Sequence, residues 1–151
     1  MAFAIDHDLA VNAPPETLWE VISDLPRYGE WNPFVRACRS TLKPGDPLKM
    51  EVQLGGTTRQ EQETVKSYDE GKGFAYGMVP PPLGALTSFR SHRIEAAGNG
   101  NSRYISHFEL SGWLSPVVKA FVGSKLQAGF DGMSYAIRDR AEALAAERKA
   151  G

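Results

Sequence analysis

Cysteine is nearly absent from this chain: Cys38 is the only one among 151 residues. A single cysteine closes no disulfide within the chain and builds no multi-cysteine metal site. Long apolar runs are missing too, and none approaches the ~20 residues that a membrane-spanning helix requires. Neither charge is in excess. Lys and Arg number 17 against 18 acidic residues, a net charge of −1, so no basic surplus points to nucleic acid. Histidine is confined to His7, His92 and His107, none at a metal-ligand spacing from a carboxylate or from Cys38. No serine stands in a Gly-x-Ser-x-Gly elbow, and Gly55-Gly56 and Gly98-Asn99-Gly100 read as turns rather than phosphate loops. The run Met1-Ala2-Phe3-Ala4-Ile5-Asp6 is charged too early for a secretory leader, which makes the cytoplasm the expected address.

What remains is an ordinary globular composition, 42% hydrophobic and 23% charged, in a length that suits one domain over residues 1–151. The clearest pattern is the last. From Ser115 to about Lys149 the spacing predicts one long helix, with Ser115 as N-cap and Pro116 at the first helical position. Val118, Val122, Leu126, Phe130, Met133, Ile137 and Leu144 recur at helical steps and form one apolar stripe. Gly129 falls inside that stripe, either leaving room beneath the helix or letting another element approach closely. Beyond Ala141 the residues turn to alanine and charge, and the final turns are expected to extend into solvent.

Ahead of that helix the pattern is mostly extended. Phe3, Ile5, His7, Leu9 and Val11 alternate as one face of a strand, and Pro15-Glu16 starts a short helix carrying Leu18, Trp19 and Ile22. A second short helical piece spans Arg27 to Glu30. Strands follow over Val35 to Leu42, Leu48 to Leu54, Thr58 to Tyr68, Phe74 to Met78, Leu86 to Ala96 and Ser102 to Trp113. The third of these is polar enough to place near solvent, and Pro80-Pro81-Pro82 forms a stiff loop that joins no ladder. An Asn-Gly turn of two residues would pair His92 with His107, whereas a three-residue Gly-Asn-Gly loop pairs His92 with Ser106 and Arg90 with Phe108. Burial selects the second, because a slip of one residue moves every side chain to the other face. It gathers Leu86, Ile94, Tyr104, Phe108 and Leu110 together and leaves His107 outside. The expected fold is α+β: a curved, antiparallel, seven-stranded sheet around a long C-terminal helix, with two short helices after the first strand.

The run Val11-Asn12-Ala13-Pro14-Pro15-Glu16-Thr17-Leu18-Trp19-Glu20-Val21-Ile22-Ser23-Asp24, continuing through Leu25-Pro26-Arg27-Tyr28-Gly29-Glu30-Trp31-Asn32-Pro33-Phe34, resembles the opening of the SRPBCC superfamily. These are the START-like, birch-pollen-allergen-like helix-grip proteins, and the bacterial polyketide cyclase/dehydrase-like group is the most similar. His92-Arg93-Ile94-Glu95 and Phe108-Glu109-Leu110-Ser111-Gly112-Trp113-Leu114-Ser115-Pro116 extend the resemblance over the whole chain. It implies a hydrophobic cavity between sheet and C-terminal helix. Members bind lipids or other hydrophobic ligands, cyclise polyketides or act as co-chaperones. The proline-dense loop and the polar strand from Arg59 to Tyr68 depart from the usual pattern.

Candidates for chemistry follow from the chosen register. His92 points inward beside Ser106, where an imidazole can serve as acid or base; the plain alternative is a histidine satisfied by Ser106, Tyr104 or water. Arg90 on an apolar face needs a carboxylate, a ligand supplying one, or a path to solvent. The leading expectation is a cavity for a hydrophobic or amphipathic, lipid- or polyketide-like molecule, without metal or organic cofactor. Trp31, Phe74, Tyr76, Met78, Tyr104, Ser106, Phe108, Leu126, Gly129, Phe130 and Met133 would line it, and Arg90 and His92 would orient the polar end. Two alternatives stand beside it. One is a cyclase or dehydratase with His92 as acid/base and Tyr104 or Arg90 polarising a carbonyl. The other is a co-chaperone-like module that binds protein. Nucleic acid and membrane insertion are not expected, and the oligomeric state is open.

Overall fold

The computed structural model describes residues 3–150. Strand β1 (Phe3–Val11) leads into helix α1 (Pro15–Ser23), a 3-10 turn over Leu25–Arg27 and the single-turn helix α2 (Tyr28–Trp31). Strands β2 (Val35–Ser40), β3 (Pro47–Leu54), β4 (Thr57–Asp69), β5 (Gly73–Gly77), β6 (Thr87–Gly98) and β7 (Asn101–Ser111) follow, then helix α3 (Ser115–Ala150). The strands form one antiparallel sheet in the order β1-β7-β6-β5-β4-β3-β2. Bulges at Val35/Ala37, Val65/Ser67 and Ala96/Gly98 add local bend and twist. This is the helix-grip arrangement that the resemblance implied.

Local chemistry explains the elements. Pro14, extended at φ −66° and ψ 155°, precedes Pro15 at the first position of α1, whose face of Leu18, Val21 and Ile22 is buried. Asn32 closes α2 toward β2: its side-chain oxygen accepts the N–H groups of Phe34 and Val35 at 2.9 and 2.8 Å. The expected register of the β6–β7 hairpin is observed, with His92 opposite Ser106 and Arg90 opposite Phe108. Its loop is built differently. Asn99 and Gly100, at φ 55° and 75°, make a two-residue turn, and a bulge ending at Gly98 (φ 81°) shifts the register by one. A two-residue turn with a bulge therefore pairs the strands as a three-residue loop would.

Helix α3 divides in two. From Phe130 onward Met133, Ile137, Ala141 and Ala145 are buried, so its C-terminal half packs firmly. The expectation that the final turns enter solvent holds from Ala146 to Ala150, which are exposed, and is corrected for Ala141 and Ala145, which are buried. This half of α3 is in contact with α1, and Arg148 and Arg140 reach Glu20 and Glu30 at 2.7 and 3.2 Å. The N-terminal half stands off the sheet: Val118, Val122 and Leu126 are only half-buried and Phe121 is exposed. Strands β3, β5 and β7 share one direction, so the Gly55-Gly56 turn, the loop after Gly77 and the connection after Ser111 emerge at one end. The space beneath α3 opens at that end.

Candidate functional site

A cavity of about 480 Å³ lies between the inner face of the sheet and the N-terminal half of α3. Its walls are largely apolar: Met50, Val52 and Leu54 from β3, Tyr76 from β5, Phe108 and Leu110 from β7, and Leu126 and Phe130 from α3. Val117 and Phe121, both lining it and both exposed, mark where it meets solvent. Polar groups enter from two strands. Arg59, Glu61 and Glu63 come from β4, and Ser88 and Arg90 from β6.

Arg90 is the anomaly of the site. It is 2% exposed, and Phe130 covers its guanidinium carbon at 4.4 Å from the ring centroid. Nη2 donates to the Tyr104 hydroxyl at 3.3 Å and lies 3.8 Å from the Met133 sulfur. Among the described residues, Nε and Nη1 have no hydrogen-bond partner and no carboxylate forms an ion pair with this arginine. Two unpartnered nitrogens leave three N–H groups of a buried guanidinium unmatched, a cost that an acceptor would relieve.

Glu63 lines the same cavity. Burial, reinforced by the negative charge of Glu61, pushes its carboxyl up to about 7, against the opposing pull of Arg90 and a hydrogen bond from Ser88. The Ser88 oxygen also accepts the Met78 N–H at 3.1 Å, which fixes the hydroxyl for that role. Nearer the mouth, Arg59 pairs with Glu61 at 3.2 Å.

Of the residues that the sequence nominates, Tyr76, Met78, Arg90, Phe108, Leu126 and Phe130 surround the cavity. The others do not. His92 lies next to it on β6 but is sealed among Phe74, Tyr76 and Tyr104, with ring centroids 4.9, 6.1 and 5.9 Å away. Its Nδ1 is 2.6 Å from the Tyr104 hydroxyl, so Tyr104 links Arg90 to His92. Burial, then the Arg90 charge, hold the imidazole well below the usual histidine range, so it is neutral. His92 therefore does not line the cavity as expected, and it stands instead as a buried partner of Tyr104. Phe74, Tyr104, Ser106 and Met133 share that packed layer. Trp31 lies elsewhere, in a surface groove of about 350 Å³ between α1 and α3 among Arg27, Arg140 and Arg148. Gly129 leaves no void either: a Cβ there would stand 2.3 Å from the Phe34 ring, so the glycine permits close approach.

Sequence reasoning missed Glu61 and Glu63 although a signal was present. The Gly55-Gly56 turn pairs Leu54 with Thr57 and hence Leu48 with Glu63, putting Arg59, Glu61 and Glu63 on the face of Leu48, Met50, Val52 and Leu54. The uncharged Thr58, Gln60 and Gln62 point the other way.

Solved structures share this fold at low identity. A START superfamily protein from Mycobacterium smegmatis superposes with a TM-score of 0.70 at 19% identity, covering 93% of this chain and 98% of that one. An aromatase/cyclase from a Streptomyces species gives 0.73 at 14%, covering 98% and 96%. Norcoclaurine synthase from Thalictrum flavum gives 0.67 at 17%, covering 99% and 97%. No curated protein sequence matches the chain. The model of one family, described as polyketide cyclase / dehydrase and lipid transport, matches residues 3–145, and the chain belongs to that family within the START-like helix-grip superfamily.

Proposed function

We propose that this protein binds an amphipathic, lipid- or polyketide-like molecule whose apolar body fills the cavity and whose acidic oxygen is held by Arg90. One observation carries the reading: a guanidinium that is 2% exposed lines an apolar cavity with Nε and Nη1 unpaired. A ligand oxyanion supplies the missing acceptors and the missing charge. The volume of about 480 Å³ suits a small molecule rather than a peptide. Glu63 supports the same reading, since near neutral pH it is partly protonated and leaves the positive charge of Arg90 available.

The test is competition against a neutral fluorescent probe by a long-chain fatty acid and by its methyl ester. The acid displaces the probe more strongly, and Arg90→Met removes that preference while keeping ester affinity. Equal displacement by acid and ester in the native protein would refute the assignment to Arg90. Failure of any hydrophobic molecule to bind would refute the cavity as a binding site.

A second reading, turnover by proton transfer, is favoured by Glu63 alone: a carboxyl poised at about 7 on the same cavity wall as a cation suits carbon-acid chemistry. Conversion of a poly-β-keto thioester mimic, lost in Glu63→Gln but retained in His92→Asn, is the expected result. No conversion above the buffer rate, or equal conversion by Glu63→Gln, would leave binding as the function.

A further inference from the structure

The cavity mouth carries apolar side chains that face water. Leu83 is 90% exposed, Phe121 79%, Val79 65%, Trp113 63% and Val117 50%. They come from two separate segments, the loop after β5 and the β7–α3 connection with the first turns of α3, which emerge at one end of the sheet. Scattered apolar exposure needs no explanation, but convergence of the five most exposed large apolar side chains on one rim does. The rim is also stiff. Pro80, Pro81 and Pro82 restrict the loop, and Trp113 Nε1 donates to the Leu83 carbonyl at 3.1 Å, fixing Leu83 outward at φ 67°.

In the two segments that build the rim, charge has one sign. Residues 73–89 contain no charged side chain, and residues 111–130 contain Lys119 and Lys125 but no Asp or Glu. Lys125 lays its methylenes over Gly55, and the Lys119 ammonium sits 5.3 Å from the centre of the Phe3 ring, so both cations flank the apolar rim.

We propose that this rim docks on the surface of an anionic lipid bilayer, with Leu83, Trp113 and Phe121 entering the headgroup boundary and Lys119 and Lys125 meeting the phosphates. A second copy of the chain fits less well, because a two-fold contact would set the same cations against one another. Continuity with the cavity adds to the argument: Val117 and Phe121 belong to both rim and lining, so a molecule leaving the bilayer there enters without crossing water. The docking surface itself does not depend on which molecule the cavity holds.

The test is co-sedimentation of the full chain with ligand-free vesicles of phosphatidylcholine alone and of phosphatidylcholine with a quarter phosphatidylglycerol, beside light scattering for oligomeric state. The protein is expected to sediment with the anionic vesicles, to do so less at high salt, and to shift its tryptophan emission to the blue. Leu83→Asn combined with Phe121→Ser places polar side chains at exposed positions and suits the left-handed backbone at 83, so it folds; it is expected to bind about tenfold more weakly or worse. Lys119→Gln with Lys125→Gln removes the preference for phosphatidylglycerol. No sedimentation with anionic vesicles, unchanged sedimentation of the Leu83/Phe121 variant, or a dimer that the same variant dissociates would overturn the proposal.

Discussion

Gly129 and Phe34 are in direct contact: any Cβ on the glycine would stand 2.3 Å from the aromatic ring. Phe34 in turn meets Phe130 edge-on, with centroids 4.9 Å apart, and lines the cavity. Gly129→Leu thus pushes Phe34 into the ligand space. Helix propensity gains about 1 kcal/mol on leaving glycine, but overpacking costs typically 1–3 kcal/mol and a side chain this close brings the upper part of that range. The expected result is net destabilisation in chemical denaturation with weaker binding of a neutral hydrophobic probe. A variant as stable as the native protein would show that Phe34 swings aside freely.

Arg90 poses a sharper test, because its contributions to stability and to binding have opposite signs. Without ligand, its burial leaves two donors unsatisfied and one charge unneutralised. Arg90→Met fills a similar volume and removes both costs, so unfolding free energy is expected to stay level or to rise by about 1–3 kcal/mol. The same variant loses preference for acidic ligands. Urea denaturation checks the first half, and a loss of several kcal/mol would mean that the guanidinium already has its partner.

Much of this arrangement was readable in advance, and the failures have a common cause. Strand alternation and the burial of Ile94, Tyr104 and Phe108 fixed the hairpin register, since one face had to be apolar. The stripe on α3 was visible at helical spacing. Gly129 was ambiguous because a missing side chain looks the same beside a void and beside Phe34. His92 was misplaced in depth rather than in face: it shares the inward face with Arg90, but periodicity says nothing of how far the neighbouring Phe74 and Tyr104 close over it. Ala141 and Ala145 looked like solvent-facing residues because the approach of α1 from another part of the chain leaves no local mark.

Ligand affinity is expected to depend on pH through Glu63. Below about 7 its carboxyl is mostly protonated, and Arg90 presents its charge undiminished. Above that, a carboxylate on the same wall repels an anionic ligand and draws on the Arg90 field. Affinity for a long-chain fatty acid, already ionised throughout, should fall between pH 6.5 and 8 by at most about tenfold per pH unit. Glu63→Gln removes the decline. A native profile that is flat, or one that Glu63→Gln leaves unaltered, would detach Glu63 from the binding site.

Stability should carry two opposed slopes, one from β4 and one from β6. Glu63 titrates at about 7 in the fold against 4.5 when unperturbed, so between those values the native state keeps a proton that the unfolded chain has lost. Its contribution is complete below pH 4.5 and is lost as pH rises toward 7. His92 acts the other way. Its folded value is depressed, so below the ordinary 6.5 the unfolded chain gains a proton that the native state refuses, and stability falls with falling pH. Each limb is worth at most about 1.4 kcal/mol per pH unit, so between pH 5 and 6.5 the two largely offset. His92→Asn keeps a hydrogen-bonding group beside the Tyr104 hydroxyl but does not titrate, and in that variant stability should rise on acidification from pH 6.5 to 5, relative to the native protein. Glu63→Gln should show the reverse. Denaturant midpoints across that window decide it: parallel profiles for all three proteins would mean that neither group is held away from its ordinary value, and with that the buried polar layer beneath the cavity would lose its physical basis.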